Sequence, residues 1–157
     1  TISTCGVIPG IERLAGEGIQ VELSISLHAS DDELRSKLMP VNRKYPLAQL
    51  IETCRKYFEK TGRIITFEYT MINGLNDSAA HARSLVKLMA GLPSRVNLIP
   101  LSPVEEFEGR ASSPEKTEVF MGILAQAGIN VTLRMSKGSA LRAACGQLRF
   151  RKRNSSA

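Results

Sequence analysis

Apolar residues along this chain recur in two rhythms, every second position in some stretches and every third or fourth in others, and the two rhythms take turns. The period-two stretches predict strands near residues 20–27, 63–71, 95–100 and 129–134. The longer period predicts helices near 47–61, 78–90 and 114–127, with a shorter one near 11–15, and the opening Thr1-Ile2-Ser3-Thr4 reads as the end of a further strand. Regular exchange of strand and helix is the mark of a parallel α/β sheet, because a parallel neighbour can be reached only through a crossover.

Two helices carry particular detail. In 47–61, Leu47, Leu50, Ile51, Cys54, Tyr57 and Phe58 fall on one stripe, which puts Cys54 in the core. In 114–127, Ser113 can cap, Pro114 suits the first turn, Glu115 suits the positive helix end and Gly128 follows the last turn.

Parity within the strands says more than their existence. Val21, Leu23, Ile25 and Leu27 alternate with Glu22, Ser24, Ser26 and His28. Ile65, Phe67, Tyr69 and Met71 alternate with Ile64, Thr66, Glu68 and Thr70, and Ile129, Val131 and Leu133 with Asn130, Thr132 and Arg134. Strands covered on both faces read as continuous apolar runs, so here helices should cover one face only. The other face then looks into water or a polar cavity, as in a partial (β/α) barrel whose lumen holds a hydrophilic ligand. Ligands in such barrels sit at the C-terminal strand ends, which offer Ser26, His28, Thr70, Asn97 and Arg134 as candidate site residues. A closed eight-fold barrel takes about 250 residues, so 157 residues supply part of one. With Thr rather than Met at position 1, the chain is expected to be a piece of a longer product.

Composition narrows the picture further. A 43% hydrophobic chain can bury one core, and no apolar run approaches the roughly 20 residues that cross a bilayer, so a cytoplasmic protein without membrane association is expected. Cys5, Cys54 and Cys145 are odd in number and far apart, which fits reduced thiols rather than a disulfide framework or a short-spaced metal site. The net charge of +6 makes a polyanion a reasonable partner. Residues 102–113, with Pro103, three Glu, Gly109 and three Ser, mark a long polar loop at a ligand-end strand terminus, where loops often close over substrates.

Cys145 has small neighbours on both sides in Arg142-Ala143-Ala144-Cys145-Gly146-Gln147-Leu148, with Lys137, Arg142 and Arg149 close in sequence. Small neighbours admit a substrate and nearby cations favour the thiolate, although a buried structural thiol reads the same way when taken alone.

Six stretches in order resemble the radical S-adenosylmethionine RNA methyltransferases that act on adenine carbon 2 of 23S ribosomal RNA and tRNA, and their C8-methylating resistance relatives. They are Ser3-Thr4-Cys5-Gly6-Val7-Ile8-Pro9, Ser26-Leu27-His28-Ala29, Arg35-Ser36-Lys37-Leu38-Met39-Pro40-Val41-Asn42, Asn73-Gly74-Leu75-Asn76-Asp77, Val96-Asn97-Leu98-Ile99-Pro100 and Ala143-Ala144-Cys145-Gly146-Gln147-Leu148. The resemblance implies that residues 1–148 are the C-terminal portion of a radical S-adenosylmethionine partial barrel; residues 149–157, which open with Arg149-Phe150-Arg151-Lys152-Arg153, read by their own composition as a basic, disordered tail. It implies that Ser3, Ser26, Leu27, His28 and Asn97 bind S-adenosylmethionine and that Cys145 becomes S-methylated. In the family, one S-adenosylmethionine methylates that cysteine. A second, cleaved at a four-iron four-sulfur cluster, yields the radical that activates the new methyl for attack on adenine. Partners so implied are 23S rRNA, tRNA and an electron donor, for a monomeric enzyme. The family's Cys-x3-Cys-x2-Cys cluster loop has no match here, so its ligands are expected upstream and this chain alone should be inactive. The alternative is a truncated, non-catalytic RNA-binding module that kept the fold, distinguished by RNA binding without any cluster.

Overall fold

The computed structural model describes residues 1–102 and 107–134. Five strands form one parallel sheet in the simple order β1 (Ile2–Thr4), β2 (Leu23–Ser26), β3 (Ile65–Met71), β4 (Ser94–Pro100) and β5 (Asn130–Leu133). Between them run α1 (Ile8–Gly16), α2 (Asp32–Leu38), a 3₁₀ turn Pro40–Arg43, α3 (Leu47–Thr61), α4 (Ala79–Met89) and α5 (Pro114–Gln126). Each strand pairs with the next in sequence, so the sheet is wound in one direction with a helical crossover between parallel neighbours.

The helix ends follow local chemistry. Ser113 Oγ accepts the Lys116 N–H with Pro114 in the first turn of α5, and Ser78 caps α4 in the same way through the His81 N–H. Helix α3 stops at Gly62, whose φ of 66° closes the last turn in a left-handed conformation that costs glycine nothing. Helix α1 is longer than the predicted 11–15 because Pro9 pre-sets its first turn. Helix α2 was not predicted. At seven residues it is too short to show an apolar stripe, and it is started by Asp31, whose carboxylate accepts the Leu34 N–H, with Asp32 and Glu33 behind it.

Parity sets the packing. Leu23, Ile25, Leu27, Ile65, Phe67, Tyr69, Met71, Val96 and Leu98 are all buried, and Ile11, Leu50, Cys54, Leu85 and Phe120 of α1, α3, α4 and α5 close over them in one cluster. Each fully buried side chain of this size contributes about 1.5–3 kcal/mol, so the covered face supplies most of the driving force for folding. The pattern weakens at β5. Ile129 and Val131 pack against the cluster, but Leu133 remains 37% exposed.

Candidate ligand site on the polar face

Register converts the other parity set into rows across the sheet. Ser24 pairs with both Ser3 and Thr66, Thr66 with Arg95, and Arg95 with Asn130. The next row, nearer the C-terminal strand ends, is Ser26, Glu68, Asn97 and Thr132. Ser26 and Asn97 therefore share a row, whereas Ser3 lies in the row below, exposed on the edge strand. That edge also carries a groove of about 310 Å³ between β1 and α1, lined by Ile2, Ser3, Val7, Ile11 and Leu14, with neither His28 nor Asn97 in its lining.

Glu68 sits at the centre of the second row and was not among the expected site residues. Its Oε1 accepts from Ser24 Oγ at 3.0 Å and from Asn97 Nδ2 at 3.1 Å. The Asn97 amide is oriented by this carboxylate, since only its NH2 end can donate there, and its Oδ1 accepts the Thr132 hydroxyl. Glu68 Oε2 is withdrawn from solvent and has no hydrogen-bond partner among the described residues. An acid at the centre of a polar parity set, flanked by candidate residues on both neighbouring strands, was the available sequence signal.

His28 and Thr70 meet above this row. The Thr70 N–H donates to His28 Nδ1 at 3.0 Å, which fixes the neutral tautomer with the proton on Nε2. Burial, aided by the Arg35 guanidinium, pulls the His28 pKa down to about 4 against an opposing pull from Glu68, so the ring is neutral near pH 7. Its backbone has φ of 60°, in the left-handed region that a non-glycine residue occupies only when its surroundings hold it there.

Two buried side chains hold it. Asn76 Nδ2 donates to the carbonyls of His28 (2.9 Å) and Thr70 (2.7 Å), while its Oδ1 accepts the Ile72 N–H at 2.7 Å. Arg35, fully buried, spreads its guanidinium over the strand ends. Nε donates to the Leu27 carbonyl (3.1 Å), Nη1 to Asn42 Oδ1 (2.9 Å), and Nη2 to the carbonyls of Cys5 (2.8 Å) and Ser26 (3.1 Å). Gly6 permits the approach, since a Cβ there would lie 3.0 Å from Leu50 and 3.2 Å from Arg35 Nη2, and its φ is 101°. Three of the six sequence stretches thus prove to be scaffolding for the ends of β1, β2 and β3. Asp77 of the Asn73 stretch accepts from Lys116 at 3.1 Å and from the Gly74 N–H at 3.0 Å. Burial works against its ionisation, but these donors win and hold its carboxyl below the usual range.

The remaining expected residues fall differently. Leu27 turns its side chain into the core, its N–H bonds the Glu68 carbonyl, and its own carbonyl is taken by Arg35, so it can meet a ligand only through backbone. Arg134 is exposed just beyond β5, its N–H bonded to the Leu98 carbonyl. Cys54 is fully buried, as its stripe predicted, and burial pushes its thiol up to about 12, which makes it inert. Cys145 and the 149–157 tail lie outside the described residues. Among the described residues no group of three or more His, Cys, Asp or Glu is arranged to hold a metal ion, and no helix is long and apolar enough to cross a membrane.

No family model matches the chain. Individual proteins do. The probable dual-specificity RNA methyltransferase RlmN of Caldanaerobacter subterraneus subsp. tengcongensis is 53% identical over 149 residues, 95% of this chain and 44% of that protein. The RlmN of Moorella thermoacetica is 50% identical over 153 residues, 98% of this chain and 43% of that protein. Among solved structures, a radical SAM methyltransferase from Sphaerobacter thermophilus superposes with a TM-score of 0.90 at 50% identity, covering 92% of this chain and 42% of that one. A domain of a pyruvate-formate lyase-activating enzyme from Bacteroides vulgatus shares the fold alone, with a TM-score of 0.61 at 17% identity. At half identity over nearly all its residues, the chain is similar to these RNA methyltransferases and to the radical SAM methyltransferase, and it spans under half the length of the relatives it matches.

Proposed function

We propose that residues 1–148 are the C-terminal part of the partial barrel of an RNA methyltransferase that methylates carbon 2 of adenine in 23S rRNA and tRNA, with 149–157 a basic tail. The observation that carries this reading is the row Ser26, Glu68 and Asn97, polar side chains in register at the strand ends of a chain half-identical to RNA methyltransferases. In this reading Ser3, Ser26, His28 and Asn97 hold S-adenosylmethionine, with Leu27 contributing backbone, and Cys145 receives a methyl on sulfur.

The residues fit such a cofactor. His28 presents an Nε2–H, Asn97 retains one amide N–H beyond its bond to Glu68, and Ser26 offers a hydroxyl, a mixture of donors and acceptors suited to a molecule with ribose hydroxyls, an ammonium and a carboxylate. When bound, S-adenosylmethionine supplies both the methyl group and the source of the radical. The chain's own part is placement. Arg35 and Asn76 lock the ends of β2 and β3, and the helices keep water from the covered face.

A four-iron four-sulfur cluster does not fit the described residues, since Cys54 is entombed and Cys5 stands alone beside β1. Its ligands belong, in this reading, to a segment upstream, and the chain as given is inactive by itself. The whole enzyme takes an external electron donor and works as a cytoplasmic monomer.

The test is the mass of the Cys145-containing peptide from full-length, cluster-loaded protein supplied with S-adenosylmethionine. One added methyl on sulfur is expected. A bare thiol overturns the role of Cys145, and RNA binding by protein that lacks any cluster then becomes the better account.

A further inference from the structure

The ladder spacing places Ser26 and Asn97 on strands either side of β3, each about 4.8 Å from it, so a ligand that touches both must cross the residue between them. That residue is Glu68. Among the described residues it is the only acid in its row, and its two oxygens are in unlike situations. Oε1 is saturated by Ser24 and Asn97, while Oε2 is kept from water and receives nothing. A carboxylate oxygen left in this state costs on the order of 1–3 kcal/mol or more, which a single donor from above would recover. Among the described residues no lysine or arginine side chain hydrogen-bonds it to relieve the charge. Arg35 has its donors committed to three carbonyls and Asn42, and Arg95 is exposed in the row below.

We infer that Glu68 is a cofactor-binding residue, its Oε2 accepting a hydrogen bond from an N–H or O–H donor of S-adenosylmethionine lying across β3, while Oε1 holds the Asn97 amide in the orientation that the same ligand meets. The inference rests on the cofactor reading above and adds to it a residue, an atom and a polarity. The charges agree. S-adenosylmethionine carries a sulfonium and an ammonium against one carboxylate, and Glu68 supplies the face with a matching negative charge where Ser26, Asn97 and Thr132 supply none. The chemistry also explains why Glu68 is tolerated in a half-buried position of a sheet. It is satisfied on one side by the protein and on the other by the ligand.

Glu68→Gln separates the two jobs of the carboxylate. The amide is isosteric, and its oxygen can replace Oε1 toward Ser24 and Asn97, so the Asn97 orientation survives. Its NH2 then stands where Oε2 stood, a donor facing a donor. Titration calorimetry of S-adenosylmethionine into full-length, cluster-loaded wild-type and variant protein should show the affinity falling about tenfold or more, with thermal unfolding close to wild type. Affinity within twofold of wild type overturns the inference and leaves an ordered water as the partner of Oε2. Should the glutamine variant not fold, wild-type protein labelled with 13C in its glutamate carboxyls gives the same decision. A shifted Glu68 carboxyl resonance on adding S-adenosylmethionine supports the contact, and an unmoved one overturns it. Wild-type protein that binds no S-adenosylmethionine refutes the cofactor reading itself, whereas wild-type binding with an indifferent Glu68→Gln refutes only the role of Glu68.

Discussion

The two faces of this sheet are built from neighbouring residues and obey different rules. On the covered face, Phe67, Tyr69, Val96 and Leu98 are wholly buried against helices, and each is held by the shape and volume of many apolar neighbours. On the open face, Glu68 and Asn97 are only half-buried and are held by a few directed bonds. One face stores stability that hardly depends on any single contact direction. The other stores geometry, and its bonds can be retained or lost with little effect on whether the chain folds. Stability and ligand recognition can therefore be altered separately by moving one residue along the same strand.

The largest effect that would sharpen this contrast lies in β3. Phe67→Ala should cost about 3–5 kcal/mol, since it removes a fully buried ring and leaves a cavity between the sheet and its helices. Thr66→Ala, one position away on the open face, should cost less than about 1 kcal/mol. Urea unfolding of the two variants decides the matter. If both fall by similar amounts, the open face is as much a part of the core as the covered one and the comparison fails.

How far the sequence reached follows the same division. The covered face was legible because burial imposes a period of two on strands and of three to four on helices, and volume burial leaves little room for exceptions. Leu133, 37% exposed, is one. The open face was legible as a set of positions but not as a network. Ser26, His28 and Asn97 could be named, yet nothing local says that Glu68 would bind Asn97 from another strand 29 residues away. Arg35 was hidden for a different reason. A charged residue on a short helix is expected in water, and its burial is intelligible only once four acceptors at the ends of β1 and β2 and in the 3₁₀ turn converge on it. The positive φ of His28 likewise depends on Asn76, which is distant in sequence.

An intermediate effect comes from His28, where the two rules meet. Its pKa is lowered from 6.5 to about 4, by burial first and Arg35 second, so the folded state binds the proton less readily than the unfolded one. A depressed pKa contributes stability that is complete above about pH 6.5 and is lost as the pH falls from there through about 4. For a ring largely withdrawn from water, the loss should reach roughly 2–3 kcal/mol. Urea midpoints for wild type and His28→Gln, compared at pH 7.5, 5.5 and 4.5, should show the wild type losing its advantage across this window. A difference that does not change with pH would mean that the ring is protonated as easily in the folded chain as in the unfolded one.

The smallest expected effect on stability is also the most demanding test of the contrast. Thr132 is exposed, and its hydroxyl does one structural thing, which is to donate to Asn97 Oδ1. Thr132→Val keeps the β-branched shape and deletes that bond. Because water can replace a donor at an exposed position, folding stability should change by no more than about 0.5 kcal/mol. The Asn97 amide would then be held by Glu68 alone, and its remaining donor would be aimed less narrowly at a ligand on the row. Affinity for S-adenosylmethionine should fall by roughly twofold to fivefold, the size expected for a neutral hydrogen bond acting at one remove. A loss of affinity without a loss of stability places Thr132 with the face that stores geometry. Loss of both in proportion would mean that the hydroxyl supports β5 itself, and that Asn97 takes its orientation from Glu68 without help.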